Sequence, residues 1–300
     1  MPKTAAAAAI GKHMLALVAL AAAIVVLAGP ALAAPEAELW ERWTRHDETS
    51  DRSVDHSVWD SLLKRYVTGH EDGVARVSYS TFSEADEAGL LSYIKQLEAV
   101  PVSSLNRAEQ FAYWVNLYNA VTVALIVQAY PVETIRDIDI SPGFFSDGPW
   151  GKKLVEVEGE RVSLDDIEHR ILRPIWKDPR IHYAVNCASI GCPDLWPEAL
   201  TAANTEAYLD RAARVYVNHP RGASIENGRL YVSSIYSWFE ADFGGSEAGV
   251  IDHLRLYADA GLKAGLASVE SISGDRYDWS LNSLKPVPKT AKNKNISPGS

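Results

Sequence analysis

Residues 106–131, NRAEQFAYWVNLYNAVTVALIVQAYP, decide the fold class. Apolar side chains occupy nearly every face of a 3.6-residue period across this run, and Pro131 ends it. A helix that is apolar on all sides is a buried one, so the remaining chain must wrap around it. Asn116 and Asn119 are polar residues in its middle. They stand three residues apart and therefore share a face. An unpaired buried amide costs about 1–3 kcal/mol. The two are therefore expected either to latch the helix to a neighbouring backbone or to line the wall of a site.

The flanking segments supply smaller elements. Residues 36–70 read as helical, with Val58, Leu62 and Tyr66 on one face. ARVSYSTF reads as a short strand. SEADEAGLLSYIKQLEAV starts at Ser83, a plausible N-cap, and stops before Pro101. KLVEVEGERVSL has a hairpin signature turning at Glu158-Gly159, and SLDDIEHRILR begins with a capping-box pattern, Ser163 with Asp166. IHYAV reads as a buried strand, ALTAANTEAYLDRAARVYV as an amphipathic helix, GRLYVSS as a strand and IYSWFEADF as a short helix. EAGVIDHLRLYADAGL reads as the last long helix. Helices outnumber strands in a mixed order. The predicted fold is a single, helix-rich α+β domain with a small mixed or antiparallel sheet.

The ends are of another kind. MPKTAAAAAIGKH carries Lys3 and Lys12, an apolar run follows, and Ala31–Ala33 fits a small-residue cleavage site. Residues 1–33 therefore read as a signal peptide cut before Ala34, the alternative being an uncleaved anchor. Residues 34–59 would be an N-terminal helical extension, 60–284 the core, and 285–300 a disordered basic tail. The expected location is periplasmic or secreted, with no stable membrane span after cleavage. Without the leader, 27 Lys and Arg face 39 Asp and Glu. An acidic exported chain lacks the basic face that phosphate contacts need, which excludes nucleic acid as a partner. No Walker-type glycine loop and no paired-His zinc helix is present, and no cofactor is expected.

Chemistry concentrates in RIHYAVNCASIGCPDLWPE, residues 180–198, which hold the chain's two cysteines, Cys187 and Cys192. Three readings are open. Cys187 is a nucleophile whose base is His182 or, from another segment, His169. Or the pair forms a disulfide, as export favours, shaping the ASIG loop. Or His182, Cys187 and Cys192 bind a metal, for which the spacing fits poorly. On an extended strand His182 and Cys187 would lie roughly 16 Å apart and on opposite faces. Glu168, His169 and Arg173 form a further acid–His–Arg set on a helix. It reads either as a surface network or as the source of a general base.

FAYWVNLYNA, WGKKLVEVEGERVSLDDIEHRILRP, RIHYAVNCASIGCP, SSIYSWFEADF and YDWSLN, in this order, resemble the domain of unknown function 547 family from about residue 60 to 284. The resemblance implies an α+β domain and no particular reaction. Asn116, Tyr118, Asn119, Glu168, His169, Arg173, His182, Cys187, Ser189, Cys192 and Pro193 fall on its blocks, which implies that these segments converge on one site. A looser likeness, as analogy only, is to papain-like and transglutaminase-like folds.

Two functions follow as expectations. One is an exported thiol-dependent hydrolase or acyl-transfer enzyme of the cell envelope, with Cys187, His182, His169 and Glu168 catalytic. Asn116, Tyr118, Asn119, Arg173 and Ser189 would contact the substrate, and backbone N–H groups of CASIG would hold the oxyanion. The other is a non-catalytic envelope module that binds a peptide or glycan beside a Cys187–Cys192 disulfide loop.

Overall fold

The computed structural model describes residues 35–143 and 148–285. The signal-peptide reading of residues 1–33 lies outside them, as does nearly all of the 285–300 tail.

The first helix, α1 (Ser57–Tyr66), leads through a two-residue ladder, β1 (Val67–Thr68) with β2 (Arg76–Val77), to α2 (Glu84–Glu98). Ser83 caps α2 by accepting from the Asp86 N–H, as its sequence position suggests. Helix α3 (Arg107–Ala129) is the predicted central helix, capped by Asn106. It is apolar and long enough to cross a bilayer, yet 94 % of its most apolar stretch is buried by the protein itself. Tyr113, Trp114 and Leu117 have no exposed surface. The N-terminal segment contributes to this core, for Trp43 packs edge-on against Trp114 at 5.0 Å. Residues 36–70 are less helical than expected. Their helical parts are a 3-10 turn, Glu41–Thr44, and α1.

The hairpin β3 (Val155–Val157) and β4 (Glu160–Val162) turns at Glu158-Gly159, both with positive φ. The capping box that follows is reciprocal, since Ser163 Oγ accepts from the Asp166 N–H and Asp166 Oδ2 accepts from the Ser163 N–H. The helix it starts widens to π geometry over Asp166–Leu172 before α4 (Arg173–Trp176). The cause is Pro174. Arg173 N–H bonds back to the Glu168 carbonyl, and Pro174 has no N–H to offer the carbonyls of His169 and Arg170. The extended N-terminal segment supplies the missing donors: Glu38 N–H to His169 O and Trp40 N–H to Arg170 O, each 3.0 Å.

IHYAV is not a strand. Residues Pro179–Tyr183 form a 3-10 helix, started by Asp178, whose side chain accepts from the Arg180 N–H. Asn119 holds the chain that follows this turn. Its amide takes the Ala184 carbonyl (2.9 Å) and the Asn186 N–H (2.8 Å), which a sheet neighbour would need. Asn116 likewise takes both polar groups of Leu200. Both asparagines are latches.

Beyond α5 (Thr205–Asn218), a three-stranded sheet pairs β5 (Ala223–Glu226) antiparallel with β6 (Arg229–Ser233). Then come α6 (Ser234–Trp238), a 3-10 turn at Glu240–Phe243, and α7 (Glu247–Tyr257) with α8 (Ala260–Leu266). The predicted last helix breaks because Asp259 caps a new one, accepting from the Leu262 N–H. Strand β7 (Ile272–Arg276) returns parallel to β6. The described residues are about 49 % helix and 11 % strand, which is a helix-rich α+β domain and not a βαβ array.

Candidate functional site

Two polar clusters meet the expected segments. The first is charged and buried. The π-helix supplies Glu168 and His169, α4 supplies Arg173, and the 3-10 helix before Ala184 supplies His182. Asp242, from the turn after α6, closes it. His182 is held between two carboxylates, Nε2 at 2.7 Å from Asp242 Oδ2 and Nδ1 at 3.6 Å from Glu168 Oε1. Its ring stacks on Phe239 at 4.1 Å. Arg173 Nε donates to the same Asp242 oxygen at 2.6 Å, and its Nη1 donates to Pro35 O and to His169 Nδ1.

The protonation pattern follows. Burial opposes the His182 charge, but hydrogen bonds to Asp242 and then Glu168 outweigh it and raise its pKa. Burial likewise works against Glu168, while His169, His182 and Arg173 pull it down to about 2. His169 itself is pushed down to about 4 by burial, so at neutral pH it is uncharged. What favours ionised Glu168 there is therefore the hydrogen bond to His182 and the charge of Arg173. Asp242, opposed by burial but bonded to His182 and Arg173, lies at about 2. Asp165, at the rim, goes the other way. Burial and the charges of Glu168 and Asp166 raise it to about 7.

The second cluster is the thiol site. The loop CASIGCP runs across the ends of α5 and the sheet and is held tightly. Arg221, paired with Asp194 at 2.6 Å, donates to the carbonyls of Ile190 and Cys192. Tyr216 Oη donates to Gly191 O at 2.7 Å. Asn186 Oδ1 accepts from the Ala188 N–H, and Ala188 takes a positive φ of 57°. Cys187 and Cys192 are free thiols, the first half-buried and the second buried. Cys187 Sγ lies 2.9 Å from Tyr277 Oη and 3.5 Å from Ser189 Oγ, and those two hydroxyls are 2.8 Å apart. The neighbouring Cys192 thiol outweighs burial and, with Ser189 and Tyr277, lowers the Cys187 pKa. Burial and then Cys187 raise that of Cys192, and burial raises Tyr277.

A half-buried aromatic wall adjoins the sulfur. Tyr277 packs on Trp279 at 4.6 Å and on Trp238 at 4.8 Å, and Trp279 reaches Trp150 at 5.9 Å. The Trp150 carbonyl accepts from the Asp165 N–H, so the wall runs from the thiol toward that carboxyl.

Neither histidine bonds to Cys187. His182 has both nitrogens engaged by carboxylates, and His169 faces Arg173 and Asp165. Tyr118 is 1 % exposed, and burial, then the charges of Glu168 and Cys187, raises its pKa. Ser189 belongs to the thiol site, and Arg173 to the charged one. Asn116 and Asn119 have their amides taken by backbone. The expected backbone oxyanion donors are also largely occupied. The N–H groups of Cys187, Ala188, Ile190, Gly191 and Cys192 already donate, to Cys192 Sγ, Asn186 Oδ1, Ser280 O, Asp278 O and Ser189 O. Among the described residues no three His, Cys, Asp or Glu side chains are grouped to hold a metal ion.

Sequence reasoning missed Asp242 and Tyr277, although SSIYSWFEADF and YDWSLN were singled out as blocks. Their aromatic density was the available signal.

Residues 102–217 match the model of the family described as protein of unknown function, DUF547, which is the family that the motif blocks point to. The match covers Glu168, His182 and both cysteines, while Asp242, Trp238 and Tyr277 lie beyond it. No curated protein and no solved structure matches the chain.

Proposed function

We propose that this DUF547 protein is an exported cell-envelope enzyme that uses Cys187 as the nucleophile of a hydrolytic or acyl-transfer reaction. The supporting observation is that Cys187 Sγ lies 2.9 Å from the Tyr277 hydroxyl and 3.5 Å from that of Ser189, which with the neighbouring Cys192 thiol favour its thiolate without an adjacent imidazole. In this reading the thiolate attacks a carbonyl carbon, and the Tyr277 hydroxyl donates to the oxyanion. Its raised pKa keeps that proton in place at neutral pH. No imidazole is at hand to protonate a leaving amine. Thioesters and activated esters, whose leaving groups depart as anions, therefore suit the site better than amides. Glu168, His169 and His182 would act as positioning residues, fixing the π-helix and Phe239 beside the wall.

The test is turnover of a panel of short acyl thioesters and nitrophenyl esters. Cys187→Ser should abolish it with the fold retained by circular dichroism. Tyr277→Phe should lower kcat by about 100-fold. Full turnover by Cys187→Ser would overturn the proposal. The wall of Trp150, Trp238, Tyr277 and Trp279 favours a second reading, a non-catalytic module on which a peptide or glycan stacks. Saturable calorimetric binding of an envelope peptide or glycan that is recovered unchanged would favour it.

A further inference from the structure

We propose that Cys187 and Cys192 form a dithiol/disulfide couple that exchanges with a substrate disulfide, Cys187 attacking and Cys192 resolving. The inference rests on the reading of Cys187 as a nucleophilic thiolate and adds a second reaction at the same sulfur.

Three features carry it. The sulfurs are neighbours across the ASIG turn. The Cys187 N–H donates to Cys192 Sγ at 3.1 Å. Access is unequal, since Cys187 is half-buried beside the aromatic wall while Cys192 is 3 % exposed and points its S–H toward Val185 O. An entering disulfide therefore meets Cys187 first. The loop is also braced from outside, by Arg221 on the carbonyls of Ile190 and Cys192 and by Tyr216 on Gly191. These bonds use none of the sulfur atoms, so they persist when the sulfurs change partner.

The chemistry balances. The Cys187 thiolate attacks one sulfur of RSSR, which forms the Cys187–S–S–R bond, breaks the substrate S–S bond and releases RS⁻. Cys192 then gives its proton to RS⁻ and attacks Cys187 Sγ. This forms the Cys187–Cys192 bond, breaks the mixed disulfide and releases a second RS⁻, which takes a proton from solvent. The protein dithiol loses two electrons and the substrate disulfide gains them. The order of steps is built in. Burial, then the charge on Cys187, keeps Cys192 protonated. The first attack cancels that charge, so Cys192 becomes easier to deprotonate only once the mixed disulfide exists.

The experiment mixes the reduced full chain with glutathione disulfide at neutral pH and follows released thiol and intact mass. The wild type should release two thiols per chain and finish two hydrogens lighter with no adduct. Cys192→Ser, and Cys192→Ala as a second variant, should release one thiol and keep a glutathione adduct on Cys187. Cys187→Ser should react about 100-fold more slowly or less. A lasting adduct on the wild type would overturn the couple. So would an absence of exchange by a chain whose Cys187 is still alkylated by iodoacetamide, which would leave the nucleophile reading standing. Failure of both alkylation and exchange would overturn both readings.

Discussion

Replacing His182 by glutamine tests the charged cluster. In the wild type two cations, His182 and Arg173, face two carboxylates, Glu168 and Asp242, with side chains only 2, 4, 10 and 21 % exposed. The substitution removes one cation and leaves a net negative charge in a buried place. Removing one partner of a buried ion pair costs about 3–5 kcal/mol, or about 6–20 °C in Tm for a domain of this size. Thermal unfolding followed by circular dichroism at pH 6 reads this loss. The pH dependence sharpens the test. In the wild type the depressed pKa values of Glu168 and Asp242, each about 2, stabilise the fold above the ordinary carboxylate range. That contribution is lost as the pH falls toward 2. The raised His182 contributes fully below its unfolded pKa of 6.5, and that contribution is lost as the pH rises through the raised value. In the variant a carboxylate without its cation takes up a proton more readily, so the loss should narrow from pH 6 to pH 4.5. Glu168→Gln in the same chain should recover part of it. A loss below about 1 kcal/mol at pH 6, or one that does not narrow in acid, would refute the reasoning.

Asn119→Ala leaves the buried carbonyl of Ala184 and the N–H of Asn186 without partners. It should cost about 2–6 kcal/mol in urea unfolding. Gly191→Ala would set a methyl 2.8 Å from Asp278 N and 3.0 Å from the Tyr277 ring. Tyr277 would be pushed from Cys187, so the midpoint of iodoacetamide alkylation against pH should move upward, with about 1–3 kcal/mol of lost stability.

Local signals carried much of the architecture. The all-round apolar pattern of α3 required burial, and the residues at its middle had to be paired wherever the chain brought partners. Ser83, Ser163 with Asp166, and Glu158-Gly159 marked a helix start, a capping box and a hairpin turn, because each acts on groups within four residues of itself. The strand reading of IHYAV failed for the complementary reason. A short apolar run has the same pattern in a strand and in a buried turn, and the polar partner of its Ala184 carbonyl is an amide 65 positions away in the chain.

The site divides along the same line. The blocks holding Glu168, His169, Arg173, His182, Cys187 and Cys192 were legible because unusual residue types crowd into short segments. Their partners were not. Asp242 reaches His182 across 60 positions, and Tyr277 reaches Cys187 across 90. By itself the sequence determined a buried central helix, a helix-rich α+β domain and the segments that hold the candidate site. Only the tertiary structure decided that the histidines meet carboxylates and the thiol meets a tyrosine. Periodicity and capping act over a few residues, whereas these pairings depend on how distant segments close around α3.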